Sequence, residues 1–216
     1  MMIENHEAVV EADVAIGQLQ IVHGVAWTPG DWAHVVARGA SLVWCPASNL
    51  FLFGRTAAVR QFLDAGSDAE SHICLASDSR VTGARDLLDE LRVAAAATPT
   101  GPSSLVRMVT TAPAGILKLR DAGHIAIGGP ADLLVVPPNG NGPAEALLAT
   151  SRRDVLLVTI AGRPLVGSPA CRPVFGARRT AVQSIVVDGV ERLAASRLAR
   201  AIARCPISEP GVACLS

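Results

Sequence analysis

The sequence lacks the features that direct a protein to nucleic acid or to a membrane. Its 19 basic and 19 acidic side chains give a formal net charge of 0 over 216 residues. Because there is no basic block, we expect neither nucleic acid nor an anionic membrane surface as a partner. No window reaches the roughly 18 uninterrupted apolar residues that a spanning helix needs. Residues 1–15 are acidic and lack the basic start of a signal peptide, so we expect a cytoplasmic protein.

Motifs for a structural metal cluster and for phosphate binding are also missing. The cysteines at positions 45, 74, 171, 205 and 214 form no CxxC pair, which indicates reduced, mostly buried thiols. Neither GxGxxG nor the P-loop pattern occurs, so nucleotide binding has no support. The chain is long enough to bury a sizeable core without disulfides or metal.

The sequence does contain an alternation of strand, short loop and helix, repeated three times in its first hundred residues. The predicted strands cover 18–22, 41–44 and 72–76, and a helix is predicted after each of them. Asp31 is expected to cap the first helix and Asp86 the third. Since this order is typical of parallel strands with crossover helices, the predicted fold class is α/β.

Polar side chains follow each predicted strand at its carboxyl end, where parallel α/β proteins place their chemistry. They are His23, then Ser48 and Asn49, which are expected to begin a loop after Cys45-Pro46, and then Asp78. A histidine and an aspartate that converge can bind a metal or hold and deprotonate a water. The alternative for His23 is a structural histidine with satisfied hydrogen bonds.

Two further groups of charged residues have structural interpretations. Asp86, Asp89 and Glu90 lie near one another on a predicted helix, where capping and pairing with nearby arginines explain them.

From Gly123 onward the sequence predicts a small β-rich module with hairpin turns. The segment 189–204 is predicted to be an amphipathic helix with a solvated arginine face.

Four segments resemble the amidohydrolase superfamily in order and spacing, and most closely its cytosine deaminase, guanine deaminase and chlorohydrolase branch. These segments are IVHGVAWTPGDW, VWCPASNLFLFGRTAAVRQFLDAG, LASDSRVTGARDLLDELRVA and AGILKLRDAGHIAIGGPADLLVVP. The resemblance implies a metal-dependent hydrolase of non-peptide C–N bonds on a (β/α)8 barrel, with zinc or iron as cofactor and a small nitrogen-containing molecule as substrate.

The same resemblance implies roles for single residues. His23 resembles the histidine that ends the family's sixth strand and contacts metal or substrate. Asp78 resembles the aspartate that ends the eighth strand, which binds the metal and shuttles the proton of the attacking water. Ser48 and Asn49 are expected to shape the substrate pocket.

The chain departs from the family pattern in what precedes these segments. It contains no His-x-His pair, and fewer than 100 residues precede Thr98, whereas a complete barrel takes about 250. We therefore expect the last three strand–helix units of a TIM-type barrel over 1–100, followed by a linker and helix over 101–122. A small β-sandwich-like module is expected over 123–170 and a tail with an amphipathic helix over 171–216.

Several functions are compatible with these features. The leading prediction is a truncated amidohydrolase-type hydrolase that is incomplete as an isolated chain and is completed by a second chain, or forms a homo-oligomer. A non-catalytic fragment that binds a partner through the open barrel edge is the main alternative. An unrelated α/β protein that binds a small ligand is a further one.

Overall fold

The computed structural model describes residues 19–66 and 68–215. It divides into two compact units, with the boundary between Gly123 and His124. Within the described ranges, no helix is both long enough and apolar enough to cross a membrane.

The first unit alternates strands and helices. In chain order its elements are β1 (Gln20–Val22), α1 (Pro29–Ala37), β2 (Ser41–Trp44), α2 (Pro46–Phe53), α3 (Val59–Asp64), a 3-10 turn (Ala69–Ser71), β3 (Ile73–Leu75), α4 (Leu87–Ala97), α5 (Pro102–Met108) and α6 (Thr111–Ile116).

The three strands form a parallel sheet in the order β1-β2-β3. Ile21 lies beside Leu42, and Leu42 lies beside Ile73, so equivalent positions of the strands are in register. Leu42 and Ile73 are completely buried, as is Phe62 on α3. The α/β prediction is confirmed, and the parallel arrangement brings the carboxyl ends of all three strands to one edge.

Two local predictions in this unit were wrong. Ser48 and Asn49 do not begin a loop, because they lie in the first turn of α2. Pro46 starts this helix, since the fixed φ of proline suits the first helical position. The cap of α1 is Thr28 rather than Asp31, and Asp31 completes a capping box by bonding back to the Thr28 backbone.

The second unit is built on one antiparallel sheet. Its elements are β4 (Leu133–Val135), α7 (Pro143–Ala149), a 3-10 turn (Arg152–Asp154), β5 (Leu157–Ile160), β6 (Arg163–Gly167), a 3-10 turn (Pro169–Cys171), α8 (Arg172–Ala177), β7 (Val182–Val187), β8 (Val190–Ala195), α9 (Ser196–Arg204) and β9 (Val212–Cys214). The strand order is β4-β5-β6-β8-β7-β9.

The predicted helix over 189–204 is wrong in its first half. β8 occupies residues 190–195 and pairs with β7 along its whole length. The two strands are joined by Asp188-Gly189, both with positive φ, which is the geometry of a tight hairpin turn. Arg192 is consequently buried in the sheet, while Arg197, Arg200 and Arg204 of α9 are exposed as predicted.

This hairpin changes how the end of the chain is organised. β8 also pairs with β6, and β9 pairs with β7. The Arg152 guanidinium donates to both carboxylate oxygens of Asp188 (2.9 and 2.7 Å) and to Glu209 (2.6 Å). Residues beyond 171 are therefore an integral part of the second unit's sheet.

Candidate functional site

His23 directly follows β1, and Asp78 lies three residues beyond the end of β3. Both have backbone conformations in the left-handed region, with φ of 69° for His23 and 55° for Asp78. Residues other than glycine rarely adopt this conformation, and such strain is typical of functional positions. The two side chains face each other, with 3.9 Å between His23 Nε2 and Asp78 Oδ2.

The first turn of α2 supplies the groups that hold these two side chains. Ser48 and Asn49 are completely buried. The Ser48 hydroxyl donates to Asp78 Oδ2 at 2.6 Å, and Asn49 Oδ1 lies 2.9 Å from His23 Nδ1. Two neighbouring side chains of one helical turn thus contact the predicted site: Ser48 bonds to Asp78, and Asn49 bonds to His23.

The hydrogen bonds of Asn49 determine the tautomer of His23. The Asn49 amide nitrogen donates to the His23 carbonyl (3.3 Å) and to Thr56 Oγ1 (3.2 Å). This orientation places the amide oxygen, which can only accept, against His23 Nδ1. Nδ1 therefore carries a proton, and Nε2 is the ring nitrogen that faces Asp78.

Two threonines complete this network. The Thr82 hydroxyl donates to Asp78 Oδ2 at 3.3 Å, and its oxygen lies 3.0 Å from Ser48 Oγ. Thr56 Oγ1 accepts from the Trp44 indole N–H at 2.7 Å. The sequence did not single out either threonine.

The environment of Asp78 favours its ionised form. The Ser48 hydrogen bond is the main cause that lowers the pKa of Asp78 from its ordinary value of 3.8, and a positive charge on His23 and the Thr82 hydrogen bond act in the same direction. Partial burial opposes them. Asp78 is therefore a carboxylate at neutral pH and can bind a cation or accept a proton.

We predict that Ser48→Ala raises the pKa of Asp78 towards its ordinary value. In the folded wild-type protein this pKa is depressed, so the ionised group stabilises the fold above the unfolded-state pKa. That contribution is lost as the pH falls through the folded-state pKa, and in the variant the loss occurs at higher pH. Carboxyl ¹³C NMR of Asp78 between pH 2 and 6 measures the change. An unaltered Asp78 titration in a folded Ser48→Ala protein would contradict the assignment.

Cys45, at the carboxyl end of β2, does not contribute a thiolate. Burial and the nearby charges of Asp78 and Glu90 raise its pKa to about 12. The thiol is therefore protonated at neutral pH and is neither a nucleophile nor a ready metal ligand. Cys45 and Cys74 are buried as expected, whereas Cys205 and Cys214 are exposed.

His23 and Asp78 suit two positions of a metal site. An imidazole nitrogen and a carboxylate oxygen are ligands that zinc accepts. The bond from His23 Nδ1 to Asn49 fixes the imidazole so that Nε2 is free to coordinate, which is the usual supporting contact of a metal-bound histidine. Among residues 19–66 and 68–215, however, no three His, Cys, Asp or Glu side chains are grouped to hold a metal ion. The described residues therefore do not by themselves complete the four-ligand set that zinc usually has.

Glu90 is the buried group whose environment the sequence did not reveal. Asp86 caps α4, and Asp89 pairs with Arg85 and Arg92, as predicted. Glu90 instead is completely buried and accepts two backbone hydrogen bonds. Its position on the same helix face as Leu91 and Ala94 is the signal that could have indicated burial.

Comparison with known proteins places these features in a family. The sequence profile of the Amidohydrolase family matches residues 3–191. A 5-methylthioadenosine/S-adenosylhomocysteine deaminase from Halobacterium salinarum is 35% identical over 125 residues, which are 54% of this chain and 28% of the deaminase.

Solved structures share the fold. An adenosine deaminase from Xanthomonas campestris with bound zinc superposes with a TM-score of 0.63 and 23% identity over 77% of this chain and 42% of its own. An atrazine chlorohydrolase from Arthrobacter aurescens complexed with zinc gives a TM-score of 0.56 and 24% identity. The match covers 76% of this chain and 40% of the chlorohydrolase.

The chain thus spans less than half the length of these relatives. Its match to the family profile nevertheless extends over most of its own residues, including His23, Ser48, Asn49 and Asp78. The chain belongs to the amidohydrolase family.

Proposed function

We propose that this chain forms part of a metal-dependent hydrolase that cleaves non-peptide C–N bonds, as in a deaminase or a hydrolase of cyclic amidines or amides. The observation that carries the proposal is the His23–Asp78 pair, held 3.9 Å apart at the carboxyl edge of parallel strands by two buried side chains of α2. Family membership supports the reaction class.

We further propose that β1, β2 and β3 are the last three strands of a TIM-type barrel. The support is their parallel order with helices between them. Catalytic groups of such barrels come from the carboxyl ends of different strands, and His23 and Asp78 satisfy this rule. The second unit corresponds in this proposal to the β module that follows the barrel.

The residues of the site have distinct roles in the proposed reaction. Asp78, kept ionised by Ser48, accepts a proton from the attacking water and then delivers it to the leaving nitrogen. His23 presents Nε2 to metal or substrate, while Asn49 holds the ring in that orientation. Ser48 and Asn49 are themselves completely buried, so in this proposal they position Asp78 and His23 and shape the substrate pocket through them.

A zinc or iron ion is the proposed cofactor, and the zinc in both structural relatives described above supports the first of these. When bound, the ion lowers the pKa of a coordinated water towards neutrality. His23 and Asp78 would contribute two ligands. The others would come from outside the described residues or from a second chain.

Exposed apolar surface near the site supports association with another chain or with a second copy. Within the described residues β1 pairs only with β2 and leaves its other edge open, and such edges favour pairing. The second turn of α2 exposes four consecutive large apolar side chains, namely Leu50, Phe51, Leu52 and Phe53. The same surface favours the second candidate function, a non-catalytic module that binds a partner.

Metal content separates these functions. We propose to purify the chain alone and from its native source, and to measure zinc and iron per protomer in wild type, His23→Ala and Asp78→Ala. We expect substoichiometric metal in the isolated chain and stoichiometric metal in the native assembly, lost in both variants. Equal metal in variants and wild type would overturn the assignment of the ligands. Stoichiometric metal and hydrolysis by the isolated chain would refute its incompleteness.

A further inference from the structure

Glu90 is a completely buried acidic residue of α4 that contacts neither His23 nor Asp78 in a hydrogen bond. Its Oε1 accepts the Ala47 N–H at 2.8 Å, and its Oε2 accepts the Ala84 N–H at 3.1 Å. Burial raises the pKa of Glu90, and the two N–H donors oppose this shift because they favour the ionised carboxylate. Burying such a group is costly unless it is well paired, so its position needs an explanation.

The first of these bonds anchors α2. Ala47 lies in the first turn of this helix, and the residue at the cap, Cys45, makes no side-chain hydrogen bond to the helix. The first N–H groups of a helix need partners, and a carboxylate at this end interacts favourably with the helix dipole. Glu90 supplies from α4 the acceptor that the cap of α2 lacks.

The second bond anchors the loop that begins at Asp78. This loop, residues 78–84, folds tightly upon itself, since the Gly83 N–H donates to the Ser79 carbonyl at 2.8 Å. A Cβ atom on Gly83 would lie 1.6 Å from the Ser77 carbonyl oxygen, so only glycine fits this approach. Fixing Ala84 therefore also restricts the start of the loop, where Asp78 lies.

We propose that Glu90 is a positioning residue that holds α2 and the 78–84 loop at the spacing required for the Ser48–Asp78 and Asn49–His23 hydrogen bonds. Ser48 and Asn49 are the residues that follow Ala47 in α2, and Asp78 is in the segment that ends at Ala84. Glu90 thus connects the two segments from behind the site. Its importance for catalysis rests on the proposed function, but its effect on geometry does not.

The test compares the wild-type chain with Glu90→Gln, Glu90→Ala and the control Asp89→Asn, without added metal. Asp89 neighbours Glu90 on α4, and its ion pairs with Arg85 and Arg92 are partly exposed. NMR measures two quantities: hydrogen exchange of the Ala47 and Ala84 amides, and the fraction of His23 that carries its proton on Nδ1. Glu90→Gln preserves shape, so it provides the comparison if Glu90→Ala does not fold.

We expect the exchange of at least one of these amides to accelerate about tenfold or more in Glu90→Gln, the size expected for losing a hydrogen bond to a charged group. The Nδ1-protonated fraction of His23 is expected to fall as Asn49 shifts, and Asp89→Asn is expected to change neither quantity. Unchanged exchange in folded Glu90→Gln would overturn the proposal. Faster exchange with an unaltered His23 tautomer would also overturn it, because Glu90 would then be only a local cap. A failure to find hydrolytic activity leaves these results intact, so the two proposals fail separately.

Discussion

Replacing Asp78 with asparagine is expected to lower kcat for hydrolysis by the native assembly about 10²- to 10⁴-fold, the range that a general acid–base residue contributes. Asparagine has nearly the same shape, and its amide oxygen can still accept the Ser48 hydrogen bond. It cannot take up the proton of the attacking water, however, and it is a poorer metal ligand. The measurement is the steady-state rate, with zinc content determined on the same samples.

The matched control for this prediction is Asp89→Asn. It removes the same charge from a partly exposed carboxylate on α4 that pairs with arginines, and exposed ion pairs of this kind contribute little. We expect its kcat to stay near the wild-type value. Similar kcat values for Asp78→Asn and wild type would show that Asp78 is not the proton acceptor.

Replacing Trp32 with alanine is expected to reduce the free energy of unfolding of the first unit by about 3–5 kcal/mol, the usual cost of removing a large buried aromatic side chain. Trp32 lies on α1 and is completely buried. Its ring stacks on Trp27 at 5.1 Å and meets the edge of Phe62 at 5.3 Å. Urea unfolding monitored by tryptophan fluorescence reports on this unit alone, because all three tryptophans of the chain lie in it.

Trp32→Phe is the control for the packing argument. Within the described chain the Trp32 indole N–H has no hydrogen-bond partner, so phenylalanine removes a buried unpaired donor and retains most of the ring contact. We expect Trp32→Phe to be considerably more stable than Trp32→Ala. Equal losses in the two variants would indicate that the ring packing is not what stabilises this unit.

The parallel sheet and the edge that carries the site could be predicted from the sequence because their signals are local. Each strand is indicated by a short apolar run. The polar residue that follows, His23 or Asp78, and the helical pattern after it indicate where the strand ends. The carboxyl ends of parallel strands meet at one edge, so the proximity of these two residues followed from topology. Their catalytic and metal-binding roles stay predictions.

The helix α2 could not be predicted because its stability depends on distant partners. Serine and asparagine compete with the helical backbone and favour turns, so Ser48 and Asn49 indicated a loop. In the structure Ser48 bonds to Asp78, Asn49 to His23, and the Ala47 N–H to Glu90. These contacts join residues 26 to 43 positions apart, beyond the reach of a local pattern.

The error at β8 has a different origin, because there the relevant signal was present. Asp188-Gly189 between two apolar runs is a strong hairpin signal, but the arginine spacing of the following segment resembled an amphipathic helix. That helix begins only at Ser196, after β8 has paired with β7 and β6. A cytoplasmic location and a partner chain stay predictions.

Metal-dependent release of ammonia from small ring amines, by the protein purified from its native source, is the most direct test of the proposed function. Cytosine, guanine and adenosine provide a first panel, and the assay is repeated after chelation and after zinc or iron is restored. We predict that ammonia release stops on chelation, returns with metal and is strongly reduced in Asp78→Asn. Ammonia release that persists after complete removal of metal, or that is unaffected by Asp78→Asn, would contradict the account.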